Sequence, residues 1–281
     1  FKNAVVGGPA GSAPRAPARA VTVRDLLLHT SGLQPRTSEI YQREQVRSRT
    51  ITMSQFIANL VRVPLMEDPG TRYRYSEGTS VLGRLVEIWS GKPFEVFLSE
   101  RVFRPLRMTD TMFWAATPDE RARLATVYGP AQGGGLTRVE TETLPFTERP
   151  THIEGAVGLL STAPDYLRFS QMLLNKGELD GARILPAKTV EMMTVNGLSD
   201  AVQMTRGGST GWGLANVQVV LDANGADSTT KGEYGWDGTA GTIFWVDPAR
   251  QLIGVLMTQS APSNPDQIRQ RFKDIVQRAV V

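Results

Sequence analysis

Residues 21–33 read VTVRDLLLHTSGL and carry the start and stop signals of a short helix. Thr22 is suited to the N-cap, and Asp25 stands three residues later, where it can complete a reciprocal capping pair. Gly32 follows the last turn, as is common where a helix ends. The stretch predicts a helix and a turn, reached after only twenty residues, most of which have the Gly, Ala and Pro content of a loop.

Helical signals continue from there to about residue 200. Apolar residues recur with a helical period over residues 77–89, and a capping pair at Thr162 and Asp165 precedes another helix. Beyond about residue 205, three stretches alternate and are rich in β-branched and aromatic side chains, which predicts strands. They are GWGLANVQVVL (211–221), GTIFWVDP (241–248) and RQLIGVLMTQ (250–259), and a last helix follows at about 265–280. The order predicts an α+β fold with helices against an antiparallel sheet of three strands.

The composition narrows the function classes. Hydrophobic residues make up 41% and charged residues 21% of the chain, which is typical of a globular domain. The net charge of +3 comes without a dense basic run, which argues against nucleic-acid binding. No apolar run approaches the roughly 20 residues of a membrane-spanning helix. With no cysteine and two histidines, a thiol nucleophile is excluded and a structural zinc site is disfavoured. The compartment is left open.

Four short features suggest catalysis, and each has a plainer interpretation. His29 stands in the last turn of the first predicted helix, where it can serve the terminal carbonyls, and His152 stands in a loop. GGSTG at residues 207–211 spells a nucleophile elbow, but a strand follows it where a helix is needed. STTK at residues 228–231 spells Ser-x-x-Lys in a polar loop, which lacks the helical turn that brings the lysine beside the serine. The plainer interpretation is favoured for all four.

Three stretches together resemble the serine β-lactamase-like superfamily, and most of all its β-lactamase-like carboxylesterases, esterase family VIII. They are residues 21–33, residues 69–113 with the segment TRYRYSEGTS, and residues 235–248, which read GWDGTAGTIFWVDP. The resemblance covers nearly the whole chain in order and spacing, and it implies no cofactor and no metal.

The fold implied by the resemblance is a three-layer α/β sandwich of the β-lactamase and penicillin-binding transpeptidase type. It implies one domain over residues 1–281, with a mostly helical region at about 22–200 and sheet strands plus a covering helix at about 205–281. In such proteins a Ser-x-x-Lys motif on a buried helix precedes the HTSGL stretch, and no such motif occurs before Val21. We expect the N-terminal part of the domain to be missing, and the sheet to be incomplete at its N-terminal strands.

The resemblance also implies the catalytic residue. Tyr75 begins Tyr75-Ser76-Glu77, at the position of a Tyr-x-Asn motif. A neighbouring ammonium favours the phenolate, so the tyrosine can take the proton of a serine nucleophile and return it to the leaving alcohol. Glu77 stands where Asn is usual and is expected to contact the substrate, although a carboxylate cannot donate the amide hydrogen bond that would recognise a β-lactam.

The second motif of the resemblance is Trp236-Asp237-Gly238, on a strand that lines the opposite wall, where these three residues are expected to contact the substrate. By position, the backbone N–H of Thr239 is expected to hold the oxyanion, and Gly238 keeps the wall open for substrate. Trp236 replaces the Lys or His of other members, which removes a cation for a substrate carboxylate. The plainer interpretations are core packing for Trp236 and a buried structural role for Tyr75.

The function implied by these residues is a serine carboxylesterase that acts on short-chain neutral esters through an acyl-enzyme. The 281-residue chain alone is expected to have little turnover, because the nucleophile and its lysine are absent from it. We also expect self-association, through the exposed sheet edge or with the missing segment. One alternative is a non-catalytic binding or scaffold protein on the same fold. Another is the β-lactamase, D-aminopeptidase or transacylase activity of the superfamily.

Overall fold

A computed structural model describes residues 1–7, 13–142, 144–222 and 229–280 of the chain. The α-helices of this part are α1 (Val23–Leu27), α2 (Glu39–Arg43), α3 (Met53–Leu60), α4 (Gly78–Ser90), α5 (Phe94–Leu98), α6 (Pro118–Arg123), α7 (Ala163–Leu174), α8 (Ala187–Met193), α9 (Asp200–Arg206) and α10 (Ile268–Ala279). A π-helical turn, Ser99–Phe103, continues α5, and a 3-10 turn, Pro265–Gln267, precedes α10.

The strands form two small hairpins and one main sheet. The hairpins pair β1 (Tyr128–Pro130) with β2 (Leu136–Arg138), and β3 (Glu178–Leu179) with β4 (Ala182–Arg183). The main sheet contains β5 (Thr210–Trp212), β6 (Gln218–Val220), β7 (Tyr234–Asp237), β8 (Ile243–Asp247) and β9 (Leu252–Leu256). Its neighbours follow chain order and every pair is antiparallel.

Helices cover both faces of the main sheet, because neighbouring side chains of β8 point to opposite sides. Phe244 packs edge-on against Tyr166 of α7, with ring centroids 5.0 Å apart. The next residue, Trp245, contacts Phe272 of α10 at 5.7 Å. The order is therefore α7, sheet, α10, which confirms the predicted α+β fold in three layers.

The predicted helix starts are confirmed where a capping side chain marks them. Thr22 caps α1 in a reciprocal pair with Asp25, and the side chain of Thr162 accepts from the N–H of Asp165 at the start of α7. Such caps are local, because the side chain satisfies backbone N–H groups within its own first turn.

The predicted three-strand sheet is wrong. The stretch 211–221, expected to be one strand, is a hairpin in which β5 and β6 pair across a turn. The turn closes with a hydrogen bond of 2.9 Å from the N–H of Gly213 to the carbonyl of Val217, and Asn216 lies at φ 61° within it. The left-handed conformation that Asn tolerates reverses the chain there, and β7 adds the fifth strand.

A second core, distinct from the one under the sheet, holds α1, α3 and α4 together. The first turn of α4 lies close to the backbone of α1, because a Cβ on Gly78 would lie 2.7 Å from the carbonyl oxygen of Leu26. This approach places residues 75–77, just before α4, beside the end of α1. Within the described ranges, no helix has the length and apolar character needed to cross a bilayer.

Candidate active site

The segment that carries Tyr75 is held by the residue that follows α1, His29. The N–H of Arg74 donates to the carbonyl of His29 at 2.8 Å, and the N–H of Ser76 donates to Nδ1 of its ring at 3.2 Å. His29 itself lies at φ 53°, a left-handed conformation that turns the chain after the helix. His29 therefore holds the segment on both sides of Tyr75, with its backbone carbonyl on one side and its ring on the other.

The ring of His29 is 1% exposed and neutral at pH 7. Burial lowers its pKa to about 4, although the hydrogen bond to Asn216 opposes the shift. Because Nδ1 accepts from a backbone N–H, Nε2 carries the proton and donates to Oδ1 of Asn216 at 2.7 Å. Asn216 in turn donates to Oγ1 of Thr79 in α4 at 2.7 Å. The backbone N–H groups of His29 and Thr30 do serve terminal carbonyls of α1, those of Leu26 and Asp25. The ring of His29 has a different role, because it joins the tyrosine segment to the β5–β6 turn.

An aromatic cluster forms the surface next to this bridge. The ring of Tyr75 lies 4.5 Å from His29 and 5.4 Å from Trp236, centroid to centroid. Trp236 stands edge-on to the fully buried Trp212 at 4.5 Å. Tyr75 is 41% exposed, so it is not a buried structural tyrosine. The structure therefore brings together Tyr75 and Trp236, one from each motif of the predicted site, although they are 161 positions apart.

The end of β7 continues from Trp236 into a tight turn. The N–H of Gly238 donates to the carbonyl of Thr242 at 2.9 Å, and the N–H of Gly241 donates to the carbonyl of Gly238 at 3.2 Å. A Cβ on Gly238 would lie 2.2 Å from Oγ1 of Thr242, so glycine allows this close turn. Thr239 is exposed, and among the described residues its N–H has no hydrogen-bond partner. It is available as a donor, and its role at the oxyanion stays a prediction.

Glu77 differs from Tyr75 because it is 1% exposed, whereas Tyr75 is 41% exposed. It accepts a hydrogen bond from Oγ of Ser80 at 2.8 Å and lies 3.5 Å from the guanidinium of Arg36. Burial raises the pKa of Glu77 despite this nearby cation. The substrate contact predicted for Glu77 stays a prediction, and the structure shows a residue engaged in the interior.

Arg36 also reaches a second buried carboxylate, Glu154, at 3.5 Å. Burial raises the pKa of Glu154, but the imidazole of His152, 3.6 Å away, and the charge of Arg47 outweigh it and lower the value to about 2. His152 donates from Nδ1 to the carbonyl of Ile51 at 2.5 Å. His152 is therefore part of a buried charge network. Within the described residues no group of acidic or histidine side chains is arranged to hold a metal ion.

The two serine motifs have different outcomes. At GGSTG, α9 ends at Arg206, Gly207 and Gly208 turn the chain, and β5 follows, which confirms the plainer interpretation of a turn into a strand. Ser228, the serine of STTK, lies outside the described residues.

Helices on both faces of a five-stranded antiparallel sheet, with an exposed tyrosine against the strand wall, define the β-lactamase and transpeptidase type of fold. The chain belongs to the Beta-lactamase family, whose sequence profile matches residues 8–278.

The chain is similar to proteins of several activities within that family. It is 34% identical to Protein Rv1367c of Mycobacterium tuberculosis, over 93% of this chain and 68% of that protein. It is 27% identical to Esterase EstB of Burkholderia gladioli, over 86% of this chain and 65% of EstB. The solved structure of EstCE1, described as a hydrolase with promiscuous acyltransferase activity, superposes with a TM-score of 0.79 at 24% identity, over 92% of this chain and 72% of EstCE1. Relatives in the family thus include esterases, carboxypeptidases and acyltransferases.

Proposed function

We propose that the protein is a serine carboxylesterase of short-chain acyl esters, with Tyr75 as its general base. One observation carries this proposal: the exposed phenol of Tyr75 stands against Trp236, on the strand that leads to the free N–H of Thr239. A base on one wall and an oxyanion donor on the other are the two groups that acyl transfer to a serine requires. The name of the relative EstB agrees with the same chemistry.

In the proposed reaction, the serine oxygen bonds to the ester carbonyl carbon while its proton passes to the phenolate of Tyr75. The bond to the alcohol oxygen then breaks, and Tyr75 returns the proton to that oxygen as the alcohol leaves. Water hydrolyses the acyl-enzyme by the same route in reverse order. The N–H of Thr239 stabilises the negative oxygen of both tetrahedral intermediates.

The nucleophile and its lysine are proposed to lie outside the described residues. No serine hydroxyl and no lysine ammonium within them forms a hydrogen bond with the phenol of Tyr75. The 281-residue chain by itself is proposed to have little esterase turnover, unless Ser228, which lies outside the described residues, is the nucleophile.

Neutral esters are the proposed substrates, because the cations near the wall are engaged. Arg269 pairs with the carboxylate of Asp237 at 2.7 Å. Arg206 lies over the ring of Tyr73, with its guanidinium carbon 5.0 Å from the centroid, and donates to Thr210. Trp236 therefore offers an apolar surface where a cation would be needed to hold a substrate carboxylate.

A second candidate is a non-catalytic binding protein on the same fold. The observation that favours it is the same lack of a serine at Tyr75, combined with a partly exposed aromatic surface of Tyr75 and Trp236. Such rings bind apolar groups without any chemistry.

Fluorophosphonate labelling and hydrolysis of p-nitrophenyl acetate distinguish the two candidates. The full-length gene product should be labelled on one serine and release p-nitrophenol, and Tyr75→Phe should lower turnover at least about a hundredfold. Tyr128→Phe is the matched control, because Tyr128 is exposed to a similar degree and has no ring contact with Tyr75. Absence of label and turnover in the full-length product would favour the binding protein. A label on Ser228 of the 281-residue chain would instead show that STTK holds the nucleophile.

A further inference from the structure

Arg269, in the first turn of α10, grips the end of β7 with both arms of its guanidinium. Nη1 lies 2.7 Å from Oδ2 of Asp237, and Nη2 donates to the carbonyl oxygen of Gly238. The side chain is 11% exposed, so this contact is mostly shielded from water. One residue of the covering helix therefore holds both a side chain and a peptide group of the wall at the candidate site.

The peptide that Arg269 holds is the one that carries the proposed oxyanion donor. The carbonyl of Gly238 and the N–H of Thr239 belong to the same planar trans unit, in which the two bonds point in opposite directions. Fixing the direction of the carbonyl oxygen therefore fixes the direction of the N–H. The turn bond from Gly241 acts on the same oxygen, at 3.2 Å.

We propose that Arg269 is a positioning residue that aims the N–H of Thr239 at the oxyanion by holding the carbonyl of Gly238. This inference rests on the proposed function, in which that N–H receives the oxyanion. A charged donor on the carbonyl also polarises the peptide, which makes its N–H a stronger donor. The guanidinium thus affects both the direction and the strength of the same hydrogen bond.

Asp237 has a supporting role in this arrangement. A cation in the first turn of a helix faces the positive end of the helix dipole, which is unfavourable. The carboxylate of Asp237 compensates for that charge and holds the guanidinium where its second arm reaches Gly238. Asp237 is thereby assigned to the positioning of Arg269, in place of the substrate contact predicted from its motif.

The test compares Arg269→Met, which removes both donors at similar length, with Arg271→Met as a control on the same helix. Arg271 is exposed and forms no hydrogen bond or ion pair with β7 among the described residues. In the full-length product, Arg269→Met should lower kcat for p-nitrophenyl butyrate about tenfold or more, with KM within about twofold, because the lost interaction strengthens in the transition state. Arg271→Met should leave both constants unchanged.

A second measurement reports the orientation of the Gly238–Thr239 peptide group directly. The residual dipolar coupling of the Thr239 N–H, in the ¹⁵N-labelled 281-residue chain, should change in Arg269→Met and stay at the wild-type value in Arg271→Met. Asp237→Asn keeps the contact of Arg269 with Gly238 but weakens the ion pair that holds Arg269. This variant should shift the Thr239 coupling in the same direction by a smaller amount, and it replaces Arg269→Met in the test if that variant does not fold.

The outcomes separate this proposal from the proposed function. An unchanged Thr239 coupling in both Arg269→Met and Asp237→Asn overturns the positioning role, as does an equal loss of kcat in Arg269→Met and Arg271→Met. If wild type hydrolyses no ester, the proposed function fails, and the coupling alone decides whether Arg269 orients the peptide.

Discussion

Lowering the pH from 7 to 5 is expected to destabilise the fold through His29. In the unfolded chain an exposed histidine takes up a proton near its ordinary pKa of about 6.5. In the folded protein burial holds the pKa of His29 at about 4. Between these values the unfolded state binds more protons, so stability is present above about pH 6.5 and is lost as the pH falls towards 4. The full gap corresponds to about 3 kcal/mol, and about 2 kcal/mol of it lies between pH 7 and pH 5.

Among the described residues, no charged side chain in ring contact with His29 titrates between pH 5 and pH 7. Its ring contacts are the aromatic side chains of Tyr73, Tyr75 and Trp212, which carry no charge between pH 5 and pH 7. The second histidine of the chain, His152, has a raised pKa, because the nearby carboxylate of Glu154 and the carbonyl of Ile51 together outweigh burial. The contribution of His152 to stability is present below its ordinary pKa and is lost as the pH rises, so its pH dependence is opposite to that of His29.

Urea unfolding at pH 7, 6 and 5 measures the effect, with His29→Gln as the comparison. Glutamine can still donate to Asn216 but cannot titrate, and it leaves the N–H of Ser76 without its acceptor. The variant should be less stable than wild type at pH 7 by about 1–3 kcal/mol, and the difference should shrink by about 2 kcal/mol at pH 5. His152→Gln, the control, should lose at least as much stability as wild type over this range. Parallel losses in wild type and His29→Gln would refute the assignment of the acid sensitivity to His29.

Three further outcomes are expected. Gly78→Ala should lower the free energy of unfolding by about 1–3 kcal/mol, measured by urea denaturation, because its Cβ meets the carbonyl of Leu26; unchanged stability would contradict that close approach. Lys273→Met should lower the free energy of unfolding by about 3 kcal/mol at pH 8, because it leaves the buried carboxylate of Glu233 unpaired. The loss should be smaller at pH 5, because burial raises the pKa of Glu233 and favours its neutral form at lower pH. Equal losses at the two pH values would contradict this explanation. The outer edge of β9, Leu252–Leu256, is apolar and pairs with no strand of the described residues. Light scattering should therefore show self-association of the protein at high concentration. A monomer under these conditions would contradict the role of that edge as an interface.

The local sequence by itself determined where several helices begin and that residues beyond about 205 form the main sheet. Thr22 and Thr162 mark helix starts because a cap needs only the first turn that follows it. The proposed site residues Tyr75 and Trp236 were also within reach, because they stand in motifs that resemble those of the family in order along the chain. For the β5–β6 turn the sequence misled, because alternation runs on through Asn216 and only its positive φ reverses the chain.

The tertiary structure alone decided how those residues are held. His29 bonds to Ser76 and Asn216, which are 47 and 187 positions away, and no local pattern records such partners. The grip of Arg269 on Gly238 spans 31 positions and exists only after α10 has packed on the sheet. The motif does not indicate how deeply Glu77 lies, and only the structure places its carboxylate in the interior. The reason is physical: caps and periodicity act within a turn or two, whereas burial, pKa shifts and the aim of a peptide group arise only when distant segments exclude water together.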